Sequence, residues 1–139
     1  MPRPKTPLLT VDAVILYDPN NIVLIKRKNP PFQGEYALPG GFVDIGETVE
    51  AACIRESKEE TNIKVKVKKL IGVFSEPERD PRGHTVSIAF LCEPATGKEK
   101  AKAQDDAADL ELIAIDKVAN LKLAFDHLKI IKKATLMIK

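Results

Sequence analysis

The sequence contains only two cysteines, and no apolar run approaches the roughly 20 residues that a membrane-spanning helix needs. Two cysteines fit neither a disulfide framework nor a four-ligand zinc site. Cys53 and Cys92 both stand among apolar neighbours, where cysteine behaves as a small hydrophobe, so we expect structural roles for them. These absences exclude a membrane-spanning protein and a disulfide-stapled one.

A strong charge of one sign is also missing. The chain has 22 Lys and Arg against 20 Asp and Glu, and a net charge of +2 is too small to be the electrostatic footprint of a nucleic-acid-binding protein. The N-terminal stretch MPRPKTPLLTVDAVIL has proline where a secretory signal would form a helix, and it lacks a small-residue cleavage site. We therefore expect a cytoplasmic protein with neither a membrane nor a nucleic acid as its partner.

The order of predicted elements is strands, helix, strands and helix, which indicates a mixed sheet covered by helices. Two β-branched runs, residues 10–17 and 21–28, flank the turn signal Asp-Pro-Asn and predict a β-hairpin. A helix is predicted over residues 48–61, with Thr48 as N-cap and Asn62 as stop signal. The remaining predictions are a short strand at 35–38, strands at 64–74, 84–93 and 110–115, and an amphipathic terminal helix at 120–138 with Leu121, Phe125, Leu128, Ile131 and Thr135 on its apolar stripe.

Six acidic residues crowd the segment GGFVDIGETVEAACIRESKEETNI, and three of them, Glu56, Glu59 and Glu60, share one helical turn. At about 100° per residue these three fall on the same stripe as apolar side chains. If the stripe faces solvent, the repulsion costs only about 1 kcal/mol and the cluster needs no partner. If it is partly buried, a divalent cation is the economical explanation, because carboxylate oxygens are the ligands that such ions prefer. The chain has neither a P-loop motif nor an EF-hand calcium loop.

The same segment resembles the signature of the Nudix hydrolase family. Its nine fixed positions here are Gly41, Glu47, Arg55, Glu56, Ser57, Glu59, Glu60, Asn62 and Ile63. Two depart from the pattern: Ser57 replaces an aliphatic residue and weakens a core contact, whereas Asn62 replaces a glycine but readily adopts the left-handed conformation expected there. The resemblance, which includes the LPGG loop before the segment, implies one domain over residues 1–139 with an α/β fold, an α/β/α sandwich with a mixed sheet between helices.

The resemblance also implies a metal-dependent hydrolase. It assigns Glu56, Glu59, Glu60 and the Gly40 carbonyl as ligands of Mg²⁺, although Mn²⁺ accepts the same oxygen ligands. It makes Arg55 the residue that orients Glu47, and it counts these two with the three glutamates among the catalytic residues. The general base is then either one of these glutamates or a carboxylate of the late AQDDAAD segment, where Asp105 and Asp106 are the candidates.

Features outside the signature indicate the substrate. Pro77 lies at the spacing from Asn62 where the ADP-ribose pyrophosphatase branch of the family carries a marker proline. Arg79 and Arg82 in the same loop are candidates to fork onto a phosphate, and Arg27 could meet the diphosphate from the other side. The competing interpretation is that Arg79 and Arg82 are solvated loop residues. Phe32 and Tyr36 either stack on adenine or pack in the core, and His84 and His127 are expected to make structural hydrogen bonds.

The sequence as a whole predicts hydrolysis of the diphosphate bond of a nucleoside diphosphate linked to another moiety, with ADP-ribose cleaved to AMP and ribose 5-phosphate. One alternative is a house-cleaning nucleoside triphosphate pyrophosphatase, which needs no marker proline. Another is a non-catalytic Nudix-like domain that binds a nucleotide or a nucleic acid, favoured by the basic KVKVKK stretch and the Lys-rich terminal helix. The expected partner is a small nucleotide substrate, and the resemblance to the ADP-ribose branch adds a homodimer as a prediction.

Overall fold

The computed structural model describes residues 2–96 and 107–138, with the side chains of residues 107 and 108 excepted. Asp105 and Asp106, the candidate general bases, lie outside the described residues. The elements in chain order are β1 Leu8–Ile15, β2 Asn21–Arg27, β3 Tyr36–Ala37, β4 Gly40–Phe42, α1 Val49–Thr61, β5 Val65–Phe74, β6 Thr85–Pro94, β7 Ala107–Ala114, a 3₁₀ turn Val118–Asn120 and α2 His127–Ile138.

The strands form two sheets. The first has the order β4-β1-β6-β5 and is mixed, because β1 and β6 run parallel while the other pairs are antiparallel. The second has the order β3-β2-β7 and is antiparallel. Side chains along β1 alternate between faces, so Val11, Ala13 and Ile15 enter one apolar cluster and Val14 enters another.

Each helix closes one of these two apolar clusters. Ala52 and Cys53 of α1 pack in the cluster that contains Val11 and Phe90. Ile130 and Ile131 of α2 pack in the other cluster, beside residues of β1, β2 and β6. Strands sandwiched between two helices confirm the predicted α/β class and its mixed sheet.

The predicted caps of α1 are both observed. Thr48 is the N-cap, and its side chain accepts a hydrogen bond from the Ala51 N–H. Asn62 ends the helix in the left-handed conformation, with φ of 62°, and its N–H donates to the Lys58 carbonyl. Asn62 thus meets the conformational requirement that the glycine of the family pattern would meet.

The predicted hairpin of β1 and β2 is wrong. The turn at residues 18–20 exists, since Asp18 accepts hydrogen bonds from the N–H groups of Asn20 and Asn21. Beyond a single bridge between Leu16 and Ile22, however, the two strands separate into different sheets. Both strands have continuous buried runs, which fit strands that are covered on two faces better than a half-exposed hairpin.

The terminal helix begins later than predicted, at His127 rather than at residue 120. The preceding segment is held extended, because Ala124 N–H donates to the Tyr36 carbonyl and Leu123 bridges to Tyr36. Phe125 has φ of 53°, which no helix accommodates. Leu121 and Phe125 therefore lie outside the helix, and its buried residues are His127, Ile130, Ile131 and Ala134.

The two cysteines face each other in the core. Cys53 and Cys92 are free and buried, with their Sγ atoms 3.7 Å apart. The hydrogen bond with Cys53, burial and repulsion by Cys53 all raise the pKa of the Cys92 thiol. Within the described part of the chain, no helix is long and apolar enough to cross a membrane.

Candidate functional site

The loop before α1 and the carboxylates of α1 are in direct contact. Glu60 is buried, and its Oε1 accepts a hydrogen bond from the Gly40 N–H at 2.9 Å. The Glu56 carboxylate lies against Gly41 so closely that a Cβ at Gly41 would collide with it. A Cβ at Gly40 would collide with the Val11 carbonyl of β1. Gly40 is therefore required sterically, whereas a side chain at Gly41 would have to push the Glu56 carboxylate out of its position.

Arg55 is hydrogen-bonded to four oxygen-bearing groups around this loop, and its Nη2 lies 3.5 Å from a fifth, the Asp44 carboxylate. Its Nε and Nη2 bind the two carboxylate oxygens of Glu47 at 3.1 and 2.6 Å. Its Nη1 donates to Glu56 at 3.0 Å and to Glu59 at 3.2 Å, and its Nη2 donates to the Phe42 carbonyl at 3.0 Å. The bidentate grip on Glu47 is the arrangement in which the planar guanidinium binds carboxylate most specifically.

The pKa shifts follow from these contacts. The hydrogen bond from Arg55 is the main cause that lowers the pKa of Glu47 from its usual 4.5 to about 2. The same bond with Glu47 contributes most to the raised pKa of Arg55. Burial, followed by the hydrogen bond and repulsion of Glu59, raises the pKa of Glu56 to about 7 despite the attraction of Arg55. One guanidinium therefore does not compensate the whole carboxylate cluster.

The residues present fit a divalent metal ion. Glu56, Glu59 and Glu60 offer hard carboxylate oxygens next to Gly40, and their charges exceed what Arg55 offsets. Within residues 2–96 and 107–138, no three His, Cys, Asp or Glu side chains are arranged to hold a metal ion by themselves. An open set of carboxylates suits Mg²⁺, which is usually bound by a few carboxylates and completes its shell with waters and substrate phosphates.

Two of the arginines expected at the substrate, Arg27 and Arg82, lie in the wall of a cleft that also contains the glutamates of α1. Arg27 donates from Nε to the Pro31 carbonyl at 2.7 Å and lies 5.0 Å from the centre of the Phe125 ring. Arg82 is half exposed and forms a two-point ion pair with Asp80. Both arginines line the same cavity as Glu56, Glu59 and Glu60.

Arg79 has a more internal position in the same loop, whereas Pro77 is exposed. The Arg79 side chain is only 4% exposed, and it binds both carboxylate oxygens of Asp126 at 3.0 and 2.7 Å. Its Nη1 also donates to Thr85 at 2.8 Å. Pro77 lies in the turn that the Arg79 N–H closes on the Glu76 carbonyl, where the fixed φ of proline favours the turn. Arg79 is therefore neither a solvated loop residue nor free of protein partners.

A buried polar group behind the cleft was missed by the sequence analysis. Asp12 is 6% exposed, and it accepts a hydrogen bond from Ser87 and lies 3.3 Å from His127 Nε2. Burial raises the pKa of Asp12, but His127, Ser87 and Arg79 together lower it below its usual value. A lone aspartate inside the apolar run TVDAVIL was the available signal, since a buried carboxylate needs partners.

His127 links this group to the loop before the glycines. Its Nδ1 accepts a hydrogen bond from the Leu38 N–H at 3.0 Å, so the proton of a neutral ring is on Nε2, toward Asp12. His84 has a simpler contact, 3.0 Å between its Nε2 and the Ser75 carbonyl. These contacts agree with the structural hydrogen bonds that were expected of both histidines.

The aromatic residues near the cleft are partly covered by other side chains. Phe32 meets Phe125 edge to face with ring centres 4.9 Å apart. Tyr36 donates from its hydroxyl to Glu111 at 2.6 Å, and the Lys26 ammonium lies 5.4 Å from its ring centre. Phe32 and Tyr36 thus occupy packed positions, the second of the two interpretations of these residues.

Comparisons with known proteins give three extensive matches. The sequence profile described as NUDIX domain matches residues 6–134. An ADP-ribose pyrophosphatase of Methanocaldococcus jannaschii is 55% identical over 126 residues, which are 91% of this chain and 72% of that protein. The NUDIX domain of Shewanella oneidensis NrtR complexed with ADP ribose has a TM-score of 0.84 and 29% identity, covering 97% of this chain and 90% of that one.

A further solved structure is a bifunctional NMN adenylyltransferase/ADP ribose pyrophosphatase from Francisella tularensis, complexed with AMP and a Mn ion. It has a TM-score of 0.85 and 32% identity, and the match covers 97% of this chain but 43% of that chain. This chain therefore spans less than half of that larger protein, whereas it is itself matched almost from end to end.

Proposed function

The chain belongs to the NUDIX family, and on that premise we propose that it is a divalent-metal-dependent pyrophosphatase that hydrolyses ADP-ribose to AMP and ribose 5-phosphate. The observation that carries the proposal is the convergence of Glu47, Glu56 and Glu59 on Arg55. This is the group of side chains that the family signature specifies, and the Gly40–Glu60 contact lies next to it.

The choice of substrate is supported by the archaeal relative. That protein is named for ADP-ribose hydrolysis and shares 55% identity over most of this chain. The NrtR domain that superposes on this fold was solved with ADP ribose bound. Pro77 and the two cleft arginines, Arg27 and Arg82, are consistent with a substrate that has a diphosphate between two sugar groups.

The chain's own residues have distinct roles in this proposal. Glu56, Glu59, Glu60 and the Gly40 carbonyl hold the metal, while Arg55 fixes Glu47 and shares its other donors with Glu56 and Glu59. Divalent ions at such a site neutralise the diphosphate and increase the acidity of the attacking water. Arg27 and Arg82 bind phosphate oxygens from the opposite wall. Asp105 and Asp106 remain predictions for the general base.

Arg79 supports the site from behind. Its guanidinium is held by Asp126 and Thr85, and it borders the narrow cavity of about 80 Å³ that also has Gly40 and Glu60 in its wall. From that position it holds the phosphate-binding wall in a fixed orientation, while Asp126 and, at 3.7 Å, Asp12 offset its charge. Pro77 then acts on the substrate only through the loop that carries Arg79 and Arg82.

A substrate panel tests the proposal. The purified protein is incubated with Mg²⁺ or Mn²⁺ and with ADP-ribose, NADH, diadenosine polyphosphates, and ordinary and oxidised nucleoside triphosphates, and products are separated by ion-exchange chromatography. We expect the highest kcat/KM for ADP-ribose, with AMP and ribose 5-phosphate in equal amounts. Preference for a triphosphate would instead identify a house-cleaning pyrophosphatase, and nucleotide binding without turnover would identify a non-catalytic domain.

A further inference from the structure

Three cavities meet at the cleft, and they differ in chemistry. One, of about 270 Å³, contains the three glutamates with Arg27 and Lys28. The narrow one of about 80 Å³ lies against Arg79 and Asp12. The third, of about 550 Å³, lies between the N-terminal segment and the loop before β6, where Pro7, Leu8 and Phe42 line it beside His84. Besides its apolar side chains the wall of this third cavity has polar groups, among them Lys5, Thr6 and Arg82, and of its lining residues only Arg82 has a proposed role in substrate binding.

We propose that this third cavity binds the nucleobase of the substrate, with the Phe42 ring as the stacking surface. The inference rests on the proposed function and adds which part of the molecule recognises the nucleoside half. A heteroaromatic base has apolar faces and polar edges, so it suits a concave site that offers both an apolar surface, here Pro7, Leu8 and Phe42, and several polar groups.

The exposure of the aromatic side chains singles out Phe42. The chain has five phenylalanines and two tyrosines, all within the described residues, and Phe42 alone among them is classed as exposed, at 45%. Leu8, in the same cavity wall, is 59% exposed. Two large apolar side chains that face one cavity, with their surfaces uncovered, are the feature expected of a ligand site.

The other aromatic surface of the cleft is already covered. The guanidinium carbons of Arg27 and Arg82 lie 5.0 and 5.6 Å from the centre of the Phe125 ring. Phe32 contacts the same ring edge to face, and His127 lies 5.2 Å from it. A base could stack on Phe125 only after displacing an arginine, whereas the Phe42 ring needs no such displacement.

The position of Phe42 also connects the base to the reacting bond. Phe42 is the last residue of β4, and its carbonyl accepts a hydrogen bond from Arg55 Nη2 at 3.0 Å. Phe42 and Arg82 line all three cavities, so a ligand that extends from the third cavity toward the glutamates passes both residues. The diphosphate would then lie between Arg82 and Arg27, and the terminal ribose would lie toward Lys28.

The test measures binding of the two products separately, so that it does not depend on turnover. AMP and ribose 5-phosphate are titrated separately in the presence of Mg²⁺ by ligand-observed NMR, with saturation transfer read at the adenine protons of AMP and at the ribose protons of ribose 5-phosphate. The variants are Phe42→Ala, Phe42→Trp, Leu8→Ala and, as matched control, Ile45→Ala. Ile45 is a fully exposed apolar residue three positions from Phe42, outside the walls of the three cavities.

We expect Phe42→Ala to raise the Kd of AMP by about 5- to 150-fold, the range that removal of a base-stacking aromatic produces. The Kd of ribose 5-phosphate should stay within about twofold, Phe42→Trp should restore AMP binding, and Ile45→Ala should change neither ligand. Leu8→Ala should weaken the binding of AMP but not that of ribose 5-phosphate.

Unchanged AMP affinity in Phe42→Ala, or equal weakening of both products, would overturn the proposal, and so would AMP that does not bind the wild-type protein. If AMP binding depends on Phe42 but ADP-ribose is not hydrolysed, the proposed function fails while the base site stands. If ADP-ribose is hydrolysed but the affinity for AMP is the same in Phe42→Ala as in the wild type, the proposed base site is wrong and the proposed function stands.

Discussion

Replacing Ser57 with alanine should stabilise the protein. The Ser57 side chain is fully buried in α1, and its Oγ is the one buried side-chain polar atom of the described residues that has no hydrogen-bond partner. Its own carbonyl is already bonded to the Thr61 hydroxyl at 2.6 Å. The hydroxyl therefore loses its hydration on folding without a compensating bond.

The size of the effect follows from the burial. An unsatisfied buried hydroxyl costs about 1 to 3 kcal/mol, and alanine has a slightly better helix propensity than serine. At about 2.1 cal/mol/K of unfolding entropy per residue, the 139-residue chain unfolds with about 0.3 kcal/mol/K. A gain of about 1 to 3 kcal/mol then raises Tm by roughly 3 to 10 °C.

Urea titration and calorimetry on the wild type and Ser57→Ala measure this change. Lys58→Ala is the comparison variant at the next, exposed helical residue; it removes a cation of the last turn that donates to the Asn62 carbonyl at 3.5 Å, so it should lose about 0.3 to 1 kcal/mol rather than gain stability. ADP-ribose hydrolysis should be unchanged, since Ser57 provides no proposed ligand. A Ser57→Ala protein that is no more stable than the wild type would refute the reasoning, because the hydroxyl would then have a partner.

Three further predictions concern the polar groups behind the cleft, the loss of stability at acid pH and the oligomeric state. His127→Asn keeps an acceptor for the Leu38 N–H and should retain about 1 to 3 kcal/mol more stability in urea than His127→Leu, which leaves that buried N–H without an acceptor and removes one of the partners of Asp12. Equal stability of the two variants would contradict this prediction. Burial raises the pKa of Asp80, but the hydrogen bonds from Arg82 outweigh it, so that the pKa lies below 3.8. A carboxyl whose pKa is lower in the folded protein stabilises the fold above its unfolded pKa, and this stability is lost as pH falls through the folded pKa. The wild type should therefore lose more free energy of unfolding than Asp80→Asn between about pH 5 and pH 2. Parallel curves of unfolding free energy against pH for the two proteins would count against this prediction. The predicted homodimer should show twice the mass of the chain in light scattering after size exclusion, and a monomer would exclude it.

The helix that carries the glutamates was predictable because its signals are local. Thr48 and Asn62 flank a stretch without glycine or proline, and each behaves as a cap in the way its side chain or backbone preference predicts. The carboxylates share one turn of that helix, so their proximity also follows from spacing. These features need no knowledge of the rest of the chain.

The contacts between distant residues could not be predicted in this way. Arg79 and Asp126 are 47 positions apart, and nothing near either residue indicates the other. The hairpin prediction failed because the Asp-Pro-Asn turn indicates a reversal but not which sheet each strand joins. The terminal helix was predicted too long because the apolar spacing at Leu121 and Phe125 is helical, while the bond from Ala124 to Tyr36 and the left-handed Phe125 are tertiary effects.

The rate of AMP release from ADP-ribose in Glu60→Gln, measured across a Mg²⁺ titration, tests the account most directly. Glutamine keeps an oxygen for the Gly40 N–H but removes the charge, and Glu50→Gln is the control because Glu50 is exposed in the first turn of the same helix. We predict that the rate falls in Glu60→Gln by at least roughly 10- to 100-fold, the loss that removal of an outer-shell partner causes at a metal site, and that a higher Mg²⁺ concentration is needed for half-maximal rate. Glu50→Gln should match the wild type in both quantities. A Glu60→Gln protein with wild-type rate and Mg²⁺ dependence would contradict the assignment of this carboxylate cluster as the catalytic metal site.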